Sequence, residues 1–348
     1  MKKIIPLVFI IILAVAGYMA WLVIGPTVVQ PESKYFYVKT GSTYPEVKQR
    51  LTALHIIQHP QVFDKVAGYL KYPSNVKAGR YLIKPGTNIL NLIKMLRAGQ
   101  QQPVNLVINK LRTKDDFIKK LRENFEADSS DVVGFIHNPD SLMRFNVDSN
   151  TLLSLVIPNT YKFYWNTTVS NIFKKLETEN KVFWSTERTK QAQQHGLSPK
   201  QVYTLASIVE EETNAAADKG KIASVYINRL NKGMRLAADP TVKFAMNDFS
   251  LKRIYFKHLN VQSPYNTYIN AGLPPGPICT PSIKTLDAVL TSPKTDYIFF
   301  VAKPDFSGSS NFAVTYDQHK VFAKAYQQAL DSLIKAKGIN QDSVVNSN

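Results

Sequence analysis

Residues 198–236 read SPKQVYTLASIVEEETNAAADKGKIASVYINRLNKGMRL. Ser198, Pro199 and Gln201 predict a helix start, because serine caps a first turn, proline suits the first helical position and glutamine completes a capping box. Apolar residues then recur at helical spacing and predict one apolar stripe, formed by Val202, Leu205, Ala206, Ile208 and Val209. We therefore expect a helix that packs this stripe into the core.

Three consecutive carboxylates follow the stripe. At about 100° per residue, Glu212 falls within roughly 50° of the centre of the stripe, whereas Glu211 points nearly the opposite way and Glu210 lies outside it. Burial beside apolar groups disfavours a charged carboxylate and raises its pKa, so Glu212 is a candidate general acid. The same spacing fits a core glutamate paired with an arginine, and both interpretations stay open.

A second helix is predicted directly after the first. Asp218 is placed to cap it and Gly233 to terminate it, and its apolar face comprises Ile222, Val225, Tyr226 and Leu230. Two amphipathic helices joined by a short turn would place Glu212 at the rim of a groove. That arrangement suits a substrate better than a packed core does.

The composition indicates an anionic partner. The chain has 348 residues, with 43 Lys and Arg against 26 Asp and Glu, for a net charge of +17. This balance favours nucleic acid, a membrane surface or an acidic polymer. The basic residues are scattered without a nucleic-acid motif, so we expect no nucleic-acid partner. The single cysteine, Cys279, excludes an intramolecular disulfide. It has no nearby His or Cys, and we expect no metal and no cofactor.

An apolar segment near the N-terminus predicts a membrane anchor. Lys2-Lys3 precede an uncharged, mostly apolar run from Ile4 to Gly25, which is about the 20 residues needed to cross a bilayer. The positive-inside tendency places the N-terminus in the cytoplasm and the remaining chain outside. The alternative is a signal peptide cleaved near Ala14-Val15-Ala16. Because the apolar run continues beyond that point, we favour an uncleaved single-pass anchor.

Residues 35–99 contain an internal sequence repeat. An alternating segment, a glycine turn and a helix started by Ser or Thr occur twice, from Tyr35 to Leu51 and from Tyr81 to Leu96. Asn109–Leu121 is a weaker third copy. The pattern fits a small packing module without a ligand, and it fits equally a glycan-binding module of the LysM type.

Several segments together resemble the YceG-like (MltG) family of endolytic murein transglycosylases in their order and spacing. They are Ala206–Thr213 (ASIVEEET), Ile222–Val225, Asn228–Leu230, Met234–Leu236, Asp239–Thr241, Tyr265–Tyr268 (YNTY) and Gly272–Gly276 (GLPPG). The resemblance covers nearly the whole chain. It implies an α+β fold with an N-terminal transmembrane helix, small LysM-like βα modules and a C-terminal mixed α/β catalytic domain.

The predicted domain boundaries follow from these segments. They are a cytoplasmic tip and transmembrane anchor at 1–25, a LysM-like module at 26–105, a connecting α/β subdomain at 106–195, a catalytic transglycosylase domain at 196–338 and a disordered tail at 339–348.

The resemblance implies that Glu212 is the catalytic acid/base, with Glu210 as the second candidate. Family members cleave the β-1,4 bond between N-acetylmuramic acid and N-acetylglucosamine without water and leave a 1,6-anhydro end. The further residues expected to contact sugar are Glu210, Thr213, Asn228, Arg229, Asp239, Tyr265, Asn266 and Tyr268. For Arg229, a structural ion pair with Asp239 fits the sequence equally well.

The expected partners are peptidoglycan glycan strands and the bacterial cytoplasmic (inner) membrane, and the resemblance also suggests cell-wall synthases. Peptidoglycan suits the basic chain, because its peptides and lactyl groups carry carboxylates. Two alternatives stay open. One is a non-enzymatic, anchored peptidoglycan-binding scaffold with a structural Glu212. The other is a hydrolase that pairs Glu212 with Asp218 or Asp239, although both aspartates are better explained as helix caps.

Overall fold

A computed structural model describes residues 4–251 and 253–336, and these residues form a mixed α+β fold, as predicted. They divide into two compact units. The first unit comprises the described residues up to Leu106, Leu121–Ser129 and Tyr161–Val169. The second comprises Val107–Lys120, Ser130–Thr160 and the described residues from Ser170 onward. The predicted domain boundaries at residues 105, 195 and 338 stay predictions. Residues 1–3 of the predicted cytoplasmic tip and the whole predicted tail, 339–348, lie outside the described residues.

The first helix, α1, spans Ile4–Ile24. Its segment Pro6–Ile24 is long and apolar enough to cross a membrane, the one such helix in the described part of the chain. Large apolar side chains such as Phe9 and Ile11 are exposed along it. In water this surface would be an unfavourable apolar patch, whereas lipid would cover it.

The first unit continues with a strand–helix–helix–strand–helix order: β1 (Tyr35–Val38), α2 (Tyr44–Ala53), α3 (Pro60–Tyr69), β2 (Gly79–Leu82) and α4 (Ile89–Ala98). Strands β1 and β2 pair antiparallel, with Tyr35 opposite Leu82. The two predicted strand–turn–helix copies are confirmed as β1–α2 and β2–α4. Helix α3 lies between them and was not part of the predicted repeat.

The helix starts of the two copies differ. Thr43 precedes α2, and its backbone N–H donates to the Glu46 carboxylate across 2.7 Å, as in a capping box. The expected Ser or Thr cap is wrong for α4, where the side chain of Asn88 accepts from the Asn91 N–H across 2.7 Å. Asn supplies the same oxygen acceptor as Ser or Thr, so sequence spacing does not separate the two choices.

Strand β3 (Val104–Ile108) pairs with β4 (Asn159–Phe163). The segments between them are α5 (Lys114–Asn124), α6 (Ser129–His137), α7 (Pro139–Met143) and a 3₁₀ turn at Leu152–Leu155. The remaining elements are α8 (Val169–Phe183), α9 (Thr186–Gln194), α10 (Pro199–Glu212), α11 (Ala216–Asn231), α12 (Asp239–Ala245), α13 (Phe256–Leu259), α14 (Ile283–Leu290), β5 (Phe299–Ala302), β6 (Ser310–Ala313) and α15 (Tyr316–Ala336).

Helix α10 lies at the centre of the second unit. Its predicted start is confirmed, because the Ser198 side chain accepts from the Gln201 N–H and the Gln201 side chain accepts from the Ser198 N–H. The predicted apolar stripe packs into the core as expected, and burial extends beyond it, since every residue from Val202 to Val209 is buried. Helices α9, α11, α12 and α14 all contact α10, so no face of its middle turns meets water.

Helix α11 is confirmed, but its predicted cap is wrong. The helix begins at Ala216, so Asp218 lies inside the first turn, where it is buried and accepts from the Ser310 N–H across 2.6 Å. Gly233 follows the last turn with φ of 67°, a left-handed conformation that favours glycine and ends the helix as predicted.

Candidate active site

A cavity of about 340 Å³ lies at the C-terminal end of α10, within the second unit. Its walls combine charged and apolar side chains from α10, α12 and three loop segments. They are Arg112, Glu211, Glu212, Asp239, Pro240, Lys243, Phe249, Ile254 and Ile278. The prediction that the α10–α11 pair places Glu212 at a groove agrees with this position.

Glu212 is the last residue of α10, and its carboxyl contacts a buried phenol of the next helix. The hydroxyl of Tyr226, in the middle of α11, donates to Oε1 of Glu212 across 2.5 Å. Tyr226 is 1% exposed, so this donor cannot turn away to solvent. The hydrogen bond therefore fixes one carboxyl oxygen and leaves the other, Oε2, for a transferable proton.

Burial raises the pKa of the Glu212 carboxyl to about 7, and the negative charge of Asp239 acts in the same direction. The Tyr226 hydrogen bond and the positive charges of Arg229 and Lys243 oppose this rise. A carboxyl with this pKa is partly protonated near neutral pH. It can therefore donate a proton and take one back at the same pH, as an acid/base catalyst must.

Asp239 lies in the same cavity wall, but it does not cap a helix as predicted. Helix α12 already begins at Asp239, and the Asp239 side chain accepts from the Tyr268 hydroxyl across 2.6 Å. Proline at the next position favours this early start, because its fixed φ suits the first helical turn. Asp239 is therefore a cavity carboxylate with one oxygen engaged by a phenol.

Glu211, which was predicted to point nearly opposite to the apolar stripe, also lies at the cavity. Its carboxylate lies 2.7 Å from Lys110 Nζ and 3.3 Å from Arg112 Nη2, and it lines the same cavity as Glu212. Burial alone would raise the pKa of Glu211, but Lys110 and Arg112 hold it below its ordinary value. These two basic residues precede α5, so the spacing within α10 could not reveal them.

Glu210 belongs to a separate cluster and does not line the cavity. Its carboxylate accepts from Lys219 Nζ across 2.8 Å and from the hydroxyls of Ser282 and Thr285. Burial opposes the charged form, but these donors keep the pKa of Glu210 below its ordinary value. The cluster joins α10 to α11 and α14. It makes Glu210 a neighbour of the site that supports the end of α10.

Three of the residues predicted to contact sugar donate their hydrogen bonds to backbone carbonyls instead. The Asn228 amide donates to the carbonyls of Thr295 and Tyr297, and the buried Asn266 amide donates to those of Leu259 and Val261. The Arg229 guanidinium donates to the carbonyls of Leu236 and Ile298, so the predicted ion pair with Asp239 is wrong. These residues hold loops of the second unit in place.

Two further candidates also have local partners. The Thr213 hydroxyl accepts from the Ala215 N–H across 3.0 Å in the turn between α10 and α11. The Tyr265 ring packs on Phe244, with centroids 4.6 Å apart. Of the predicted set, the structure thus brings Asp239 and, through it, Tyr268 to Glu212. The sugar contacts of the others stay predictions.

A family model described as the YceG-like family matches residues 36–325. The chain belongs to the YceG-like family. A relative from Bacillus subtilis, named endolytic murein transglycosylase, is 28% identical over 305 residues, covering 83% of each chain. A relative of the same name from Streptococcus pneumoniae is 28% identical over 336 residues, covering 85% of this chain and 60% of that protein.

A crystal structure of a YceG-like protein from Listeria monocytogenes has a similar fold. It superposes with a TM-score of 0.53 at 27% identity, covering 82% of this chain and 97% of that one. The fold described above is therefore that of a YceG-like protein over most of its length.

Sequence reasoning missed three functional candidates in this YceG-like protein. The sequence pattern places Tyr226 only on the apolar face of α11, although a phenol within such a face needs a hydrogen-bond partner and so signals a buried acceptor. Arg112 and Lys243 have no sequence signal, because isolated basic residues form no motif. Within residues 4–251 and 253–336, no group of three His, Cys, Asp or Glu side chains is arranged to hold a metal ion.

Proposed function

We propose that this YceG-like protein is a membrane-anchored endolytic peptidoglycan transglycosylase that uses Glu212 as its single general acid/base. The observation that carries the proposal is the position of Glu212, with a pKa of about 7, in the cavity wall beside the Tyr226 hydroxyl. Family membership and relatives named for this activity support the same conclusion.

In the first step, protonated Glu212 donates its Oε2 proton to the glycosidic oxygen between N-acetylmuramic acid and N-acetylglucosamine. The bond from C1 of the muramyl ring to that oxygen breaks, and positive charge develops at C1. The Asp239 carboxylate in the same wall stabilises this charge electrostatically, in a cavity that excludes part of the bulk water.

In the second step, the Glu212 carboxylate takes the proton of the muramyl C6 hydroxyl. The C6 oxygen attacks C1 and closes a 1,6-anhydro ring, so no water is consumed and Glu212 is protonated again. The Tyr226 hydroxyl stabilises the charged form between the two steps, because its hydrogen bond favours the carboxylate.

Hydrolysis is the second candidate, because Asp239 lies in the same cavity as Glu212 and paired carboxylates are the usual hydrolase arrangement. Asp239 would then activate a water molecule. The Tyr268 hydroxyl occupies one oxygen of Asp239, which leaves fewer acceptor sites for a water molecule, and this favours the transglycosylase. Asp218 accepts from the Ser310 N–H and does not line the cavity, so it does not support a hydrolase.

Two further parts of the proposal concern the membrane anchor and the module that follows it. Helix α1 anchors the chain in the cytoplasmic membrane, which the exposed apolar surface of Pro6–Ile24 supports. The catalytic unit lies on the extracytoplasmic side, an orientation that rests on the positive-inside tendency of Lys2 and Lys3. Residues 26–105 form a LysM-like module, supported by the strand–helix–helix–strand order and the antiparallel β1–β2 pair. Association with cell-wall synthases stays a prediction from the family resemblance.

The test is to incubate the full-length chain in detergent with uncrosslinked glycan strands and to identify the products by mass spectrometry. We expect strands ending in 1,6-anhydromuramic acid from the parent chain and from Glu187→Gln, a matched control at an exposed glutamate of α9, but none from Glu212→Gln. Reducing-end products would assign hydrolysis instead. Equal cleavage by Glu212→Gln would remove Glu212 from the mechanism, and well-folded protein that cuts no strand would favour the scaffold.

A further inference from the structure

Two cations line the cavity beside Glu212, namely Arg112 and Lys243. Arg112 shares one carboxylate, Glu211, with Lys110, so its ion pair is divided between two cations. Both cations can therefore attract an anionic group of a ligand that enters the cavity.

Arg112 is held in position but is incompletely hydrogen-bonded. Its Nη2 donates to Glu211, and its guanidinium lies 5.2 Å from the centroid of the Phe249 ring, which restrains the planar group. Among the described residues, neither Nε nor Nη1 donates to a protein acceptor, and Nε is shielded from solvent. A guanidinium fixed with an unused donor suits a carboxylate ligand.

Lys243 is also without an anionic partner. It lies on α12 one turn after Asp239, yet no described carboxylate lies within ion-pair distance of its Nζ. Lys243 lines the same cavity as Glu212, so a substituent of the sugar being cut can reach it. The adjoining wall is apolar, through Phe249, Ile254 and Ile278.

We propose that Arg112 and Lys243 form a carboxylate-binding subsite that recognises the acidic substituent of the muramyl residue. This inference rests on the proposed function and adds the basis of its specificity. The D-lactyl substituent offers a methyl group to the apolar wall and a carboxyl group to the cations. The carboxylate comes either from the lactyl group itself or from a stem peptide attached to it. A neutral polymer of N-acetylglucosamine has no group for this subsite.

The test measures binding, so that it does not depend on turnover. Full-length Glu212→Gln protein in detergent is titrated calorimetrically with three muramyl tetrasaccharides: one with free lactyl carboxylates, one with stem peptides, and one with every carboxylate converted to a carboxamide. We expect at least one acidic ligand to bind about tenfold tighter than the carboxamide, a preference that shrinks as salt is raised. The tighter of the two acidic ligands identifies the source of the carboxylate.

Adding Lys243→Gln or Arg112→Gln should reduce this preference to about twofold or less, whereas Lys190→Gln and Arg144→Gln, matched controls at exposed positions, should retain it. If Arg112→Gln fails to fold, Lys243→Gln still tests the subsite, because Lys243 has no ion-pair partner among the described residues whose loss would disturb the fold. Equal binding of acid and amide, or a preference that survives both substitutions, would overturn the subsite. If the preference holds but the parent chain cuts no strand, the subsite stands and the proposed catalytic function fails.

Discussion

The hydroxyl of Tyr226 donates to Oε1 of Glu212 across 2.5 Å, and this contact joins the middle of α11 to the last residue of α10. The two effects on Glu212 oppose each other. Burial raises the pKa of its carboxyl, whereas the phenol stabilises the charged form, and the result is a pKa of about 7. A carboxyl poised there exchanges a proton readily in both directions.

Tyr226→Phe should therefore move the pH dependence of the reaction. In the parent chain, kcat should fall as the pH rises through about 7, because the general acid loses its proton. Without the phenol, the pKa of Glu212 rises, so this fall moves to higher pH, and kcat drops by about tenfold because the carboxylate is less stable. The measurement is a pH–kcat profile, with Tyr316→Phe as a control at an exposed tyrosine. An unchanged profile would mean that the contact does not tune Glu212.

Glu212→Gln should stabilise the fold in a pH-dependent way. The folded pKa of about 7 exceeds the ordinary value of 4.5, so between these values the folded state binds more protons than the unfolded state. Stability of the parent chain therefore falls as the pH rises from about 4.5 to about 7, and a neutral glutamine escapes this loss. We expect the variant to gain about 1–3 kcal/mol relative to the parent between pH 4.5 and pH 8.

Denaturant unfolding at the two pH values measures this gain, and Glu187→Gln is the control for removing an exposed glutamate. A difference between Glu212→Gln and the parent that stays constant with pH would show that the carboxyl is not desolvated in the folded chain.

The Glu210–Lys219 pair should be strongly coupled, because its side chains are only 15% and 12% exposed. Lys219→Met leaves a mostly buried carboxylate without its cation, and we expect a loss of about 2–4 kcal/mol in unfolding free energy. The double variant Glu210→Gln/Lys219→Met should recover part of it. A double-mutant cycle by denaturant unfolding measures the coupling.

The exposed pair Lys175–Glu179 of α8 provides the comparison for this cycle, with side chains 45% and 32% exposed. Its coupling should stay below about 0.5 kcal/mol, because solvent screens it. Equal coupling energies for the two pairs would contradict the buried-cluster interpretation.

Gly276 should tolerate no side chain. A Cβ there would lie 2.1 Å from the backbone oxygen of Asn150, a contact that only a backbone shift could relieve. We expect Gly276→Ala to cost about 2–4 kcal/mol. Gly272→Ala, in the same loop with φ of 83° but no heavy atom within 4 Å, should cost only about 1–2 kcal/mol from backbone strain. Thermal unfolding measures the stability lost by each variant. An equal loss, or a larger loss for Gly272→Ala, would refute the close approach of Gly276 to the Asn150 backbone.

Helix α1 should retain the chain in the membrane without being cleaved. We expect the chain purified from membranes to keep α1 in its intact mass, whereas a signal peptide would remove residues up to about Ala16. Leu13→Arg should reduce carbonate-resistant membrane retention, because an arginine near the centre of a spanning helix costs about 2.5–3.5 kcal/mol. Leu54→Arg, at an exposed leucine outside α1, should leave retention unchanged.

Local sequence signals predicted much of the helical framework. Ser198, Pro199 and Gln201 placed the start of α10 because a capping box involves residues within one turn. Gly233 marked the end of α11 because a left-handed conformation favours glycine. By contrast, the prediction that Asp218 and Asp239 cap helices is wrong. An aspartate near a helix start fits several positions in the first turn, and its partner, Ser310 or Tyr268, is distant in sequence.

Helical periodicity and family resemblance were enough to predict Glu212 as the candidate acid, but they could not predict the pKa of its carboxyl. Spacing gives the direction of a side chain from its own helix, whereas a pKa depends on every charge, donor and apolar group within several ångströms. Lys110 and Arg112 neutralise Glu211, Lys219 neutralises Glu210, and Tyr226 with Asp239 faces Glu212. Only the tertiary structure brings these partners to three adjacent glutamates, and so makes one of them an acid near neutral pH.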